Sequence, residues 1–149
     1  MGREIYCSII DKENNELWNS ADENGDFVCG RDDATTYLAS LADPESCLID
    51  ITDEKTFKSI KTQLEKYRDK DDRELNRADR ELEDLSIARR NARNYEEFCS
   101  FAKGFEAVER WIEENQYSRA YHILNMIDSA QRVLYSRFPD AILCIVVSE

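Results

Sequence analysis

Between Pro44 and Pro139 the chain has no other proline and a single glycine, Gly104. Those two residue types are the main interrupters of helices, so a stretch this long without them has little choice but to be helical. The other three glycines, Gly2, Gly25 and Gly30, all precede Pro44, and Ala141–Val147 near the end is wholly apolar. The chain therefore divides into a turn-rich head, a helical body and one tail strand. Its 149 residues suffice for one domain with a real core.

In the head, Glu4–Ile10 (EIYCSII) is rich in β-formers and reads as a strand. Asp11–Asn15 is a polar turn, after which Glu16–Ser20 returns as a second strand. Asp22–Asp26 (DENGD) reads as a turn and Phe27–Cys29 as a short third strand. Asp32 or Asp33 caps a short helix running to about Ala42, which Asp43-Pro44 ends. Cys47–Ile51 is a strand, and Thr52 is the expected N-cap of the helix that follows.

That helix has apolar residues at Phe57, Ile60, Leu64 and Tyr67, then at Leu75, Ala78, Leu82 and Leu85. Each block has spacings of three and four, while the step from Tyr67 to Leu75 slips the heptad phase. Residues 68–74 (RDKDDRE) contain no helix breaker and offer i,i+4 pairs such as Asp69–Arg73, which favours continuity. Unbroken through Arg93, the helix has about 41 residues and is roughly 60 Å long, and such a helix projects from a compact body or finds a partner.

Tyr95–Asn115 carries Phe98, Phe101, Phe105, Val108, Trp111 and Ile112 at helical spacing, a stripe that reads as core. Tyr117–Phe138 is a second amphipathic helix, and the short link between the two predicts antiparallel neighbours. Ala141–Val147 (AILCIVV) reads as a central strand covered on both faces. The predicted fold class is α+β, in the order β-β-(β)-α-β-α-α-α-β. A small antiparallel or mixed sheet from both chain termini packs against a helical layer with a long charged helix, and residues 1–149 form a single domain.

Chemical motifs are sparse. Asp22, Asn24 and Asp26 have the spacing of a calcium loop with Asp33 at the twelfth position, but Phe27 stands where that loop needs glycine. Asp11, Asp50 and Asp53 fall near strand ends, where grouped carboxylates can hold Mg²⁺. The lone histidine, His122, lies mid-helix beside core positions and reads as structural. The five cysteines have no CxxC spacing and read as small buried hydrophobes in a reducing, cytoplasmic setting. Arg89, Arg90 and Arg93 cluster at a helix end, where they serve the helix dipole or, with Tyr95, an anion. Neither a cofactor nor a metal is expected.

Charge is the remaining signal. Residues 1–52 carry 12 acidic and 3 basic side chains, a net of −9 within a total of −12. Such a surface repels a phosphate backbone and suits a basic protein. No apolar run is long enough to predict a membrane span. The leading expectation is a non-enzymatic acidic interaction protein. It binds a basic partner, itself a nucleic-acid-binding protein in one version, as a phage or mobile-element inhibitor or nucleic-acid mimic acting on a host nuclease does. The expected contact residues are Asp11, Glu13, Asp22, Glu23, Asp26, Asp32 and Asp33 in the head, with Asp69, Asp71 and Asp72 on the long helix as the competing site. The alternatives are a structural protein that self-associates through its long helices, as a homodimer, and a metal-dependent nuclease or phosphatase using the strand-end aspartates.

Overall fold

The computed structural model describes residues 2–149. The chain forms two compact units, one made of residues up to Arg68 together with Arg119–Glu149, the other of Asp69–Ser118.

The first unit holds a five-stranded antiparallel sheet, which bears out the α+β class. Its strands are β1 (Arg3–Ile10), β2 (Glu16–Asn19), β3 (Val28–Gly30), β4 (Leu48–Asp50) and β5 (Ile142–Ser148). The order is β2-β1-β5-β4, with β3 also paired to β1. The two terminal strands are thus the central pair, in register from Glu4 opposite Ser148 to Ile10 opposite Ile142. On its other side β1 pairs with β3 over Arg3–Ile5 and with β2 over Ser8–Ile10.

Helix α1 (Ser20–Asn24) sits between those two short strands, where the sequence predicts only a turn. Asn19 caps it by accepting a hydrogen bond from the Asp22 N–H at 2.7 Å, and Gly25 ends it at φ +65°. That left-handed conformation favours glycine. Helix α2 (Asp33–Leu41) begins with a capping box, in which the Asp32 carboxylate accepts from Thr35 N–H and the Thr35 hydroxyl accepts from Asp32 N–H.

Several element limits shift by one to three residues, α3 ending at Arg90 rather than Arg93, and two of the differences have a clear cause. Cys47 lies outside β4, at φ +63°. Asp43 closes the preceding loop by accepting from Glu45 and Ser46 N–H groups and, through its carbonyl, from Cys47 N–H, so only the Cys47 carbonyl, which accepts from Val147 N–H at 2.9 Å, joins the ladder to β5. Thr52 does not cap the long helix either. Its hydroxyl donates to the Leu143 carbonyl and accepts from the Leu143 N–H at 2.8 Å, which ties the chain to β5. Asp53 takes the cap, accepting from Thr56 N–H at 3.1 Å.

Helix α3 (Glu54–Arg90) is continuous over 37 residues, without a break at residues 68–74. Its first turns bring Phe57, Ile60 and Leu64 to the core of the first unit. Helix α5 (Arg119–Arg137) adds Ala120, Ile123, Leu124, Met126, Ile127, Ala130 and Leu134 at helical spacing. These helices and α2 cover one face of the sheet, the face of Ile5, Cys7, Ile9, Leu143, Ile145 and Val147.

The opposite face is not covered by a helix, which corrects the expectation that β5 is covered on both sides. Ile142 and Val146 are only half-buried, and Tyr6, Ile10 and Leu48 share their condition. Cys144 and Ser8 on this face are nonetheless buried. An all-apolar strand of this kind needs neighbours on its second face, and the burial of Cys144 and Ser8 shows that the middle of this face has them.

The second unit is a helical hairpin of the rest of α3 with α4 (Tyr95–Asn115). Leu85 lies against Gly104 and Asp71 accepts from Ser118, so the helices run antiparallel. Within this unit α4 takes α3 as its antiparallel partner. Its aromatic stripe is also not core. No residue of α4 is buried, and Phe98 and Trp111 are 43 % and 37 % exposed. Two helices have a single seam, too little to enclose a stripe this wide.

Candidate functional site

The head acids lie on the turns and helix starts that follow β1, and they are not equivalent. Asp11 ends β1 and holds the β1–β2 turn, accepting from the N–H groups of Glu13 and Asn15 at 2.9 Å each and from the Asn15 amide. These hydrogen bonds, led by that of the Asn15 backbone, hold its carboxyl below the usual aspartate value. Asp22 accepts from the Asn19 amide at 2.9 Å. Asp26 meets His122 Nε2 of α5 at 3.3 Å. Asp32 caps α2 and lies 3.8 Å from Arg119, whose Nε also donates to the Cys29 carbonyl at 2.8 Å. Glu13, Asp22, Glu23 and Asp33 are exposed. Arg119 and His122, the two residues of α5 that reach these acids, carry no sequence signal that pairs them with the head.

Arg3, one of the three head cations, is bound to Glu149 at 2.8 Å and donates to Thr36, so it adds little positive field at the surface. Near Asp11 and Glu13 an open groove of about 540 Å³ is completed by Lys12, Leu17 and residues 137–141. Arg137 there lies over the Phe138 ring, 5.1 Å from its centroid.

The strand-end aspartates do not converge. β1 and β4 lie on opposite sides of β5, two strand spacings or about 10 Å apart. Asp11 serves its turn, Asp50 accepts from Thr52 N–H and Asp53 caps α3. Asp22 and Asn24 of the calcium-like spacing lie within α1 rather than in a loop that wraps an ion. Among the described residues no group of three or more His, Cys, Asp or Glu is placed to hold a metal.

The competing acids lie on α3, where Asp69 and Asp72 are exposed and Asp71 is half-buried against Ser118. In the basic cluster, Arg89 stacks over Phe105 with its guanidinium carbon 4.6 Å from the ring centroid, and Arg93 lies 3.9 Å from Glu97. Both contacts serve the hairpin.

The cysteines are free, but not all are buried as expected. Cys7 and Cys144 are buried, Cys99 is half-buried, and Cys29 and Cys47 are exposed. Burial, with the nearby charges of Asp26 and Cys144, pushes the Cys7 thiol far above its ordinary 9.0, and burial with the Asp50 charge pushes Cys144 to about 11. Thiolate is the reactive form, so a thiol reagent at pH 8 is expected to modify Cys29 and Cys47 first and Cys99 later. Cys7 and Cys144 should react only on unfolding, and mass mapping of the modified sites checks the order. Prompt native labelling at Cys144 would refute this environment. The folded thiols ionise above the unfolded value, so their contribution to stability is complete below about pH 9 and is lost as pH rises toward the folded values.

No helix among the described residues is long and apolar enough to cross a membrane. No protein-family model matches the chain, and no curated protein or solved structure matches it either.

Proposed function

We propose that this chain is a non-enzymatic interaction protein whose acidic head binds a basic protein. The observation that supports this reading is the set of exposed carboxylates, Glu13, Asp22, Glu23 and Asp33, on the turns and helix starts of a segment of net charge −9. They sit on turns and short helices, where a partner can reach them. The electrostatics favours a partner with a positive cleft, such as a nucleic-acid-binding protein, and a nucleic-acid mimic acting on a nuclease is the narrowest form of the idea.

The test uses residues that neither cap a helix nor hold a turn. Glu13→Gln, Glu23→Gln and Asp33→Asn together are expected to shift stability by less than about 0.5 kcal/mol per site. The immobilised chain should retain a basic protein from cell extract at about 50 mM salt and release it at about 500 mM, and the triple variant should retain much less. A parallel variant, Asp69→Asn with Asp71→Asn and Asp72→Asn, reports on the long helix. If only the helix variant loses the captured protein, or neither does, the head is not the contact surface.

A further inference from the structure

The face of the sheet without a helix carries an apolar patch framed by charge of one sign. Side chains alternate along a strand, and residues opposite each other on paired strands share a face. Tyr6 therefore stands beside Val146, and Val146 beside Leu48. Beyond Ser8 and Cys144, Ile10 stands beside Ile142. These five apolar residues are half-buried. Glu4, Glu16 and Asp50 share the face and are exposed, and Glu16 reaches over it to accept from Ser8 Oγ at 2.7 Å. Arg3 is the one basic residue in the five described strands. It is turned to the helix side, where it donates to Thr36 of α2. Burial, with the charges of Glu16, Glu4 and Asp22, raises the Tyr6 phenol above its ordinary value, so these acids act on the centre of the patch.

We propose that this face docks a basic amphipathic helix of a partner protein, whose apolar stripe lies on Leu48, Val146, Tyr6, Ile10 and Ile142 and whose Lys and Arg side chains meet Glu4, Glu16 and Asp50.

The surface is separate from the exposed head acids Glu13, Glu23 and Asp33, and the proposal stands without them. A contiguous apolar patch on an uncovered sheet face marks a contact site, and a helix is the element that completes a second layer there. Charge decides what kind of helix. A second copy is disfavoured, because a two-fold contact brings the patch against itself and sets the same carboxylates opposite one another. Nucleic acid and anionic lipid meet the same repulsion. Only a segment with bases flanking an apolar stripe matches both the patch and its frame.

Isothermal titration calorimetry of the full chain tests the proposal with a defined probe. The probe is a synthetic helical peptide of about 18 residues with Leu along one stripe and Lys elsewhere, and its control carries Ala in place of each Leu, which keeps the helix and removes the bulk. At about 100 mM salt the Leu–Lys peptide should bind with a Kd of about 1–50 µM, and the Ala–Lys peptide at least about tenfold more weakly. Tyr6→Lys and Glu4→Lys should each weaken the Leu–Lys peptide by about fivefold or more, with circular dichroism confirming each fold. Glu4 is exposed at the end of the face, so its variant keeps the test decisive if Tyr6→Lys does not fold. Two variants elsewhere, Trp111→Ala on α4 and the head triple Glu13→Gln, Glu23→Gln and Asp33→Asn, should each weaken binding less than the sheet variants do. A parent with no binding below about 500 µM overturns the proposal. So does equal binding of the two peptides, which removes the apolar patch from the contact. Binding that survives the folded sheet variants, or that falls more in the head or α4 variants, places the peptide elsewhere and overturns it as well.

Discussion

Ile145→Asp is expected to abolish cooperative folding. Ile145 is fully buried in the middle of β5, opposite Cys7 of β1 on one side and Ile49 of β4 on the other. Its side chain enters the core between sheet and helices, where the described residues include no cation. An unpaired buried carboxylate costs about 3–5 kcal/mol, and a domain of this size has only about 5–15 kcal/mol in total. Val146→Asp is the matched comparison. Val146 is half-buried on the helix-free face, so its variant should fold with a lowered melting temperature. Thermal denaturation followed by circular dichroism distinguishes the two. A sharp Ile145→Asp transition within a few degrees of the parent would show that β5 is not the centre of the core.

Ser20→Ala should have the second largest effect, about 1–3 kcal/mol. The Ser20 side chain is fully buried. Its hydroxyl accepts from the Cys7 N–H at 2.9 Å and donates to the Asp26 carbonyl at 2.8 Å. At this point β1 has passed from its pairing with β3 to its pairing with β2, so no strand serves the Cys7 N–H. The serine replaces the missing strand, and alanine leaves a buried donor unpaired. The loss is read as a drop in the denaturant midpoint with unchanged slope. An unaltered midpoint would mean that Cys7 finds another acceptor.

Helix positions were legible because they depend on local chemistry. The extent of α4 follows from apolar spacing that is visible in the residues, and the structure adds Asn94 as its cap. The continuity of α3 through residues 68–74 follows in the same way from the absence of any breaker. What failed depended on partners distant in the chain. Thr52 has the chemistry of a cap, but Leu143 claims its hydroxyl, and Asp53 then fills the role. Apolar spacing identifies which face of α4 avoids water and says nothing about whether another element covers it. The same holds for β5, whose two faces are alike in composition and unlike in cover. α1 was missed for a different reason. Asn, Asp and Gly serve both turns and helix ends, and five residues are too few to show periodicity.

The candidate site was legible as charge and illegible as structure. The excess of acids in residues 1–52 is a matter of counting. Which of them are already engaged is not, because Asp26 and Asp32 meet their partners, His122 and Arg119, only after α5 has folded back nearly a hundred residues later.

The arrangement of the sheet limits how this protein can be approached. Its two long strands lie inside, and its boundaries are made of β2, β3 and β4, with four, three and three residues. The outermost backbone therefore offers only brief, interrupted rows of unsatisfied amides and carbonyls, broken on one side by α1. A foreign strand finds no template long enough to extend the ladder, which guards against fibril growth and closes off recognition by strand addition. Any partner must be distinguished by side-chain chemistry.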